Sequence, residues 1–261
     1  MGYSQHQSNF NTFFSIRKSF PQESESNLGV HFFSKQSIDG LQTTTRFYKN
    51  KNKEWLKLTG TFVDSLDDVT ITGISLAQPK KLDDGTVIPE QITVDIASPV
   101  AGKVDRIQIS SDSKWGNAFA RKIVNVDLTK PLTIKPYAYI PEGKTDLSEG
   151  LSIVQDEVKI ADKYVKFNGN EKPTNINGVE EFDKYADEAK AEKNDSLRRN
   201  AWKNYFTRVN VFVVGEMMKF VKEANFADTT AAGTSNGVAA KEIVPDGELP
   251  EEEINPEDIP F

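Results

Sequence analysis

The chain of 261 residues contains no cysteine and only two histidines, His6 and His31. Disulfides and thiolate metal centres are therefore excluded, and two imidazoles in unrelated segments do not make a zinc site. Neither Gly-x-x-x-x-Gly-Lys-Ser/Thr nor Gly-x-Gly-x-x-Gly occurs, so no glycine-rich cradle for a nucleotide phosphate is expected. The paired carboxylates Asp67-Asp68 and Asp83-Asp84 lie at strand ends or beside glycine, where acids form turns far more often than catalytic pairs. No catalytic residue, metal or cofactor is expected, and the chain does not read as an enzyme. Long apolar runs are missing too: the longest, Val211–Val214, is far short of a membrane span. The opening Met-Gly-Tyr-Ser-Gln-His-Gln-Ser has neither a basic nor an apolar leader segment. The expectation is a soluble protein of the cytoplasm.

Charge is plentiful, and it is unevenly placed. The formal net charge is −7. From Lys241 to Phe261 one lysine faces eight acids, whereas the other 240 residues hold 31 bases and 31 acids. The body is neutral and the excess negative charge sits at the end. A neutral body can still carry a basic groove if its charges are segregated in space.

That acidic end reads Glu251-Glu-Glu-Ile-Asn-Pro-Glu-Asp-Ile-Pro-Phe261. Solvation accounts for the glutamates, but not for a tip that presents Ile259 and Phe261 to water. A partner with a small apolar pocket rimmed by Arg or Lys suits such a ring and the carboxylate beside it. The tip Asp258-Ile259-Pro260-Phe261 resembles that of the single-stranded-DNA-binding proteins of bacteria and phages. The resemblance covers the tail and its linker, about a tenth of the chain. It implies an OB-fold body that coats the strand during replication, recombination and repair. It also implies that Asp258, Ile259, Pro260 and Phe261 dock on partner enzymes such as a polymerase, primase, helicase or nuclease.

The body is read from its own pattern. Residues 1–27 form a polar N-terminal arm interrupted by Phe10, Phe13, Phe14 and Phe20 around Arg17-Lys18. This arm is either an aromatic-basic contact with nucleic acid or a segment pinned to the core by its phenylalanines. Residues 28–226 are the body. Short Val/Ile/Thr/aromatic segments separated by turn signals predict strands near 30–34, 43–49, 55–64, 69–77, 91–97, 104–110, 118–126, 132–140, 153–160 and 163–167. Pro99, Pro131, Pro136 and Pro141 suit edges or strand starts. After a Gly/Asn/Pro loop at 168–178, helical spacing predicts helices near 179–193 and 196–224, the second capped by Ser196. The β-branched run at 205–214 fits a helix or a buried strand equally. Residues 227–250 read as a flexible linker and 251–261 as a protein-interaction tip. The fold expected is mainly β with C-terminal helices: an OB-like barrel, with long hairpin insertions absorbing the surplus strands.

Binding an unpaired strand needs bases for phosphates and flat rings for nucleobases. Three stretches combine them. The first contains Arg46, Phe47, Tyr48, Lys49, Lys51, Lys53, Trp55 and Lys57 across an expected hairpin, where alternation puts Trp55 and Lys57 on one face and Leu56 and Leu58 on the other. The second contains Lys114, Trp115, Phe119, Arg121 and Lys122, with Trp115 in an expected loop. The third contains Lys135, Tyr137 and Tyr139, the tyrosines on one face of a strand. Arg198, Arg199, Trp202, Lys203 and Arg208 read instead as a solvated helix face with Trp202 buried. The rival readings are a non-nucleic-acid β protein of a phage particle or an adaptor using the tail as a docking tag, and a mediator that anneals complementary strands.

Overall fold

The computed structural model describes residues 10–24, 26–50, 52–81, 87–143, 145–163 and 180–224. The first four strands are β1 (Phe10–Ser19), β2 (Gly29–Ser34), β3 (Thr43–Lys49) and β4 (Trp55–Val63). Then come β5 (Leu66–Val69), β6 (Ile71–Ala77), the two-residue strands β7 (Lys80–Lys81) and β8 (Val87–Ile88), β9 (Gln91–Ala97) and β10 (Val104–Ser110). Helix α1 (Lys114–Ile123) precedes β11 (Leu132–Tyr139), β12 (Ser148–Gln155) and β13 (Val158–Lys159), and α2 (Glu180–Ala191) and α3 (Asp195–Glu223) follow.

Alternation writes the main sheet. In β10, Ile107 and Ile109 are buried while Arg106 and Gln108 on the opposite face are half-exposed. In β9, Ile92, Val94 and Ile96 line the same core, each worth about 1.5–3 kcal/mol when fully buried. Asp95 faces the other way and is almost fully buried. Arg106, its cross-strand neighbour, satisfies it with a two-pronged bond of 2.6 and 2.7 Å.

Seven strands pair in the order β3-β4-β2-β1-β10-β9-β6, with β1 parallel to β10 and the other neighbours antiparallel. A second sheet runs β13-β12-β11-β5, and β7 and β8 form a small ribbon. Leu132, Ile134, Leu151 and Ile153 of the second sheet, Phe119 and Ile123 of α1, and Val213 and Met217 of α3 share one apolar core with the inner face of the main sheet.

The molecule is mainly β with C-terminal helices, as the pattern predicts, but the expected barrel is not what these strands build. The main sheet is open: among the described residues its edge strands β3 and β6 do not pair with each other. The surplus strands go into a second sheet rather than into insertions on one closed barrel, which requires continuous pairing around its circumference. One local curl does occur. Phe20, just past β1, exchanges backbone bonds of 2.8 and 2.9 Å with Phe47 of β3, bending the β1-β2-β4-β3 end back toward itself.

Three further corrections concern local structure. The segment expected as a strand at 118–126 is largely helix α1. Its cap is Ser113, whose hydroxyl accepts the Gly116 N–H at 3.0 Å, and Phe119, Ala120 and Ile123 fall at helical spacing on its buried side. Residues 10–19 of the expected arm are a strand inside the main sheet, with Phe14 and Ile16 buried, so the core-pinned alternative describes them. The cap of α3 is Asn194, not Ser196: its side chain accepts the N–H groups of Ser196 and Leu197 at 3.0 and 3.2 Å. Residues 205–214 are helical, because Tyr205, Val209, Val213 and Met217 recur every four residues on the buried face. Pro136 sits mid-strand in β11, past the point where β5 stops pairing, so its missing N–H leaves no gap in a ladder. The Asp83-Asp84-Gly85 turn, the loop at 168–178, the strand end at 164–167, the linker 227–250 and the tip lie outside the described residues.

Candidate nucleic-acid interface

The β3–β4 hairpin gathers bases and aromatic rings on the described surface. Its register pairs Phe47 with Lys57 and Lys49 with Trp55, so these four side chains share one face. The Phe20–Phe47 bridge adds Phe20 to the group, and its ring meets the Trp55 indole edge-on at 5.4 Å. The Lys49 ammonium lies 4.9 Å from the centre of the Trp55 ring. Phe20, Phe47 and Trp55 are half-exposed, and Lys49 and Lys57 are exposed. Lys53 stands in the connecting turn with φ 61°, in the left-handed region, where the Asn50 side chain accepts the N–H groups of Asn52 and Glu54. Lys51 lies outside the described residues. The expected alternation of this stretch therefore matches the strand geometry.

Arg46 and Tyr48 point to the opposite face. Arg46 donates to the Ser19 hydroxyl at 2.7 Å and stacks 5.6 Å from the Phe62 ring centre, and burial lowers the proton affinity of its guanidinium. His31 donates from Nδ1 to the Asp64 carboxylate at 2.7 Å, while its Nε2 is buried with no bonding partner. Burial is the main reason the His31 pKa lies below 6.5; Arg46 adds to it, against the Asp64 carboxylate that favours the proton. Arg46 is thus an internal tie of the curl, which composition alone does not distinguish from an outward-facing base.

The second stretch divides. Lys114 is exposed, and Trp115 occupies the first turn of α1 rather than a loop, half-exposed and packed against the core. Its indole N–H is buried and has no partner. Phe119 is fully buried, and Arg121 and Lys122 are nearly so: Arg121 donates to the Asn117 carbonyl at 2.6 Å and Lys122 pairs with Asp162. Phe119, Arg121 and Lys122 are consequently removed from the interface, because the helical turn carries them inward.

Trp115 nonetheless approaches the hairpin's aromatic face through β1. Lys18, two residues before Phe20 and on the same side of the strand, reaches over the Trp115 ring at 5.9 Å and pairs with Glu149. Phe20 and Lys18 belong to the arm for which an aromatic-basic contact was one of two readings, but they are absent from the three stretches chosen for the interface. The aromatic-basic composition of residues 10–20 was the available signal; what was lacking was the strand alternation that separates Lys18 and Phe20 from Arg17.

The third stretch is set apart. Tyr137 and Tyr139 share one face of β11 with ring centres 5.9 Å apart, and Lys135 is exposed on that face. Glu149, the Lys18 partner, lies on the opposite face of this sheet by its pairing with Ala138. Burial raises the Tyr137 pKa, helped by Tyr139 and Asp162, and a methyl at Gly150 would stand 2.5 Å from the Tyr137 hydroxyl. The tyrosines therefore form a ring pair on the other face of this sheet, apart from the hairpin surface. On α3, Trp202 is buried and Arg198 pairs with Asp195, which matches the reading of a solvated helix face.

Among the described residues no group of three or more acidic or histidine side chains is placed to hold a metal ion, and no helix is long and apolar enough to cross a membrane. No protein-family model, curated protein or solved structure matches the chain.

Proposed function

We propose that the protein binds single-stranded DNA without strong sequence preference and coats it during replication, recombination and repair. The observation that carries this reading is the hairpin face, where the half-exposed rings of Phe20, Phe47 and Trp55 stand beside Lys49 and Lys57, with the exposed Lys53 in the turn that joins the two strands. Stacking on rings tolerates any base, and lysines bind phosphates by charge, so this chemistry favours an unpaired strand over a particular sequence. The curled β1-β2-β4-β3 end takes the part that an OB barrel plays in the resembled proteins. Lys114 and Trp115 extend the path from the hairpin, and Lys135, Tyr137 and Tyr139 supply a separate contact. The tip Asp258-Ile259-Pro260-Phe261, supported by its resemblance, recruits replication or repair proteins through a basic-rimmed apolar pocket on the partner.

The test is an anisotropy titration of labelled oligo-dT and of a duplex of equal length at two salt concentrations. The reading expects tight binding of oligo-dT that weakens as salt rises, and a clear preference over duplex. Equal, salt-insensitive or absent binding would reject it. The half-buried, core-packed Trp115 favours one rival, an adaptor whose aromatic residues are structural; that rival expects no binding at either salt.

A further inference from the structure

The ion pair between Lys18 and Glu149 has a use beyond holding two sheets together. Lys18 is 44% exposed at its side chain, yet its partner Glu149 is only 8% exposed. Lys18 lies about 6.6 Å along β1 from Phe20, given a rise of about 3.3 Å per residue. It therefore stands between the Phe20–Trp55 ring pair and the Trp115 ring beneath its ammonium. An ammonium has three hydrogens to donate, and one carboxylate does not occupy them all. We infer that Lys18 is a phosphate contact of the strand-binding surface and that Glu149, an inward-held carboxylate, subtracts one charge from that surface. Glu149 thus sets how tightly the protein grips a polyanion.

The inference rests on the strand-binding reading and deepens it. The Glu149 side chain is carried by β12 and almost fully buried, which keeps its carboxylate beside Lys18 when a strand arrives. An incoming phosphate shares Lys18 with Glu149 and feels a pair whose net charge is zero. The consequence is moderated affinity at the junction between the two ring groups, where a strand passing from Trp55 to Trp115 must cross. Such moderation suits a protein that must be displaced by the enzymes that follow it on the strand.

The test is Glu149→Gln, which keeps the side-chain shape and removes the charge. Oligo-dT should bind this variant about fivefold more tightly at low salt, the effect of roughly one unit charge at contact distance in water. The slope of log affinity against log salt should steepen by about 0.7, one further phosphate contact on a single strand. The double variant Lys18→Met, Glu149→Gln should return to the parent slope. Parent-like affinity and slope in Glu149→Gln would overturn the inference while leaving strand binding intact. A second readout uses the unaltered chain: reductive methylation of lysines, read by mass spectrometry with and without oligo-dT. Protection of Lys18 together with Lys49 and Lys57 supports the inference. Protection of Lys49 and Lys57 without Lys18 overturns it, and protection of none rejects the strand-binding reading itself.

Discussion

Two stretches of this chain look alike as lists of residues and behave differently as structure. Residues 46–57 and residues 114–122 both mix bases with aromatic rings. In the β3–β4 hairpin the two-residue period keeps Phe47, Lys49, Trp55 and Lys57 on one face, and among the described residues β3 is an edge strand whose outer side carries only the Phe20–Phe47 bridge. In α1 the helical period turns Phe119 into the core and folds Arg121 and Lys122 onto Asn117 and Asp162. The same composition yields a surface in one case and an anchored helix in the other. Composition nominates a site, and the period of the element decides whether its side chains reach solvent.

The comparison is broken or sharpened by variants that separate stability from binding. The largest effect is expected for Phe119→Ala, which empties a fully buried ring position and should cost about 3–5 kcal/mol of folding stability by denaturant titration. Under conditions where it remains folded, its affinity for oligo-dT should be close to that of the parent; a selective binding loss would put α1 back into the interface. Trp55→Ala should show the reverse pattern, losing about 1–3 kcal/mol of strand affinity by anisotropy with a much smaller change in stability. A large stability loss with unchanged affinity would make Trp55 a core anchor.

A smaller effect concerns the curl that presents the hairpin. The folded His31 takes up its proton below pH 6.5, whereas the unfolded chain does so near 6.5. Between those values the unfolded state binds more protons, so this contribution is present above pH 6.5 and is lost as the pH falls through the folded pKa. The thermal midpoint should decline between pH 7 and pH 5, and less steeply in His31→Gln. The smallest effect is expected from Lys57→Ala: a shallower salt dependence, by about 0.7 in the log–log slope, with no change in stability.

Much of the fold was legible where local pattern and tertiary packing agree. Strand β3 falls at 43–49 as its Thr/aromatic run predicts, and β9 and β10 follow their alternation. The helices at 180–191 and 195–223 follow from apolar spacing, although the cap moved from Ser196 to Asn194. Helix α1 was misread because Ala118–Val126 is rich in apolar residues without clear alternation, and the Ser113 cap stands in a run of serines and aspartates that also suits a turn. The barrel was misread because the number of strands does not say how many sheets they form; that depends on non-local pairings such as β1 with β10. At the candidate site the hairpin face was legible from alternation. Lys18 and Phe20 were named only as part of the arm, because Phe20 comes beside Trp55 through a bridge to Phe47, 27 positions away, and Lys18 meets Trp115 through a separate long-range contact.

The most direct test of the central claim is the quenching of tryptophan fluorescence by oligo-dT in Trp115→Phe, whose two remaining indoles are Trp55 and the buried Trp202. If Trp55 is a stacking ring, titration should quench a large share of the signal at low salt and less at moderate salt, in step with anisotropy. Tight binding by anisotropy with an unquenched Trp55 would contradict the account and move the interface away from the hairpin.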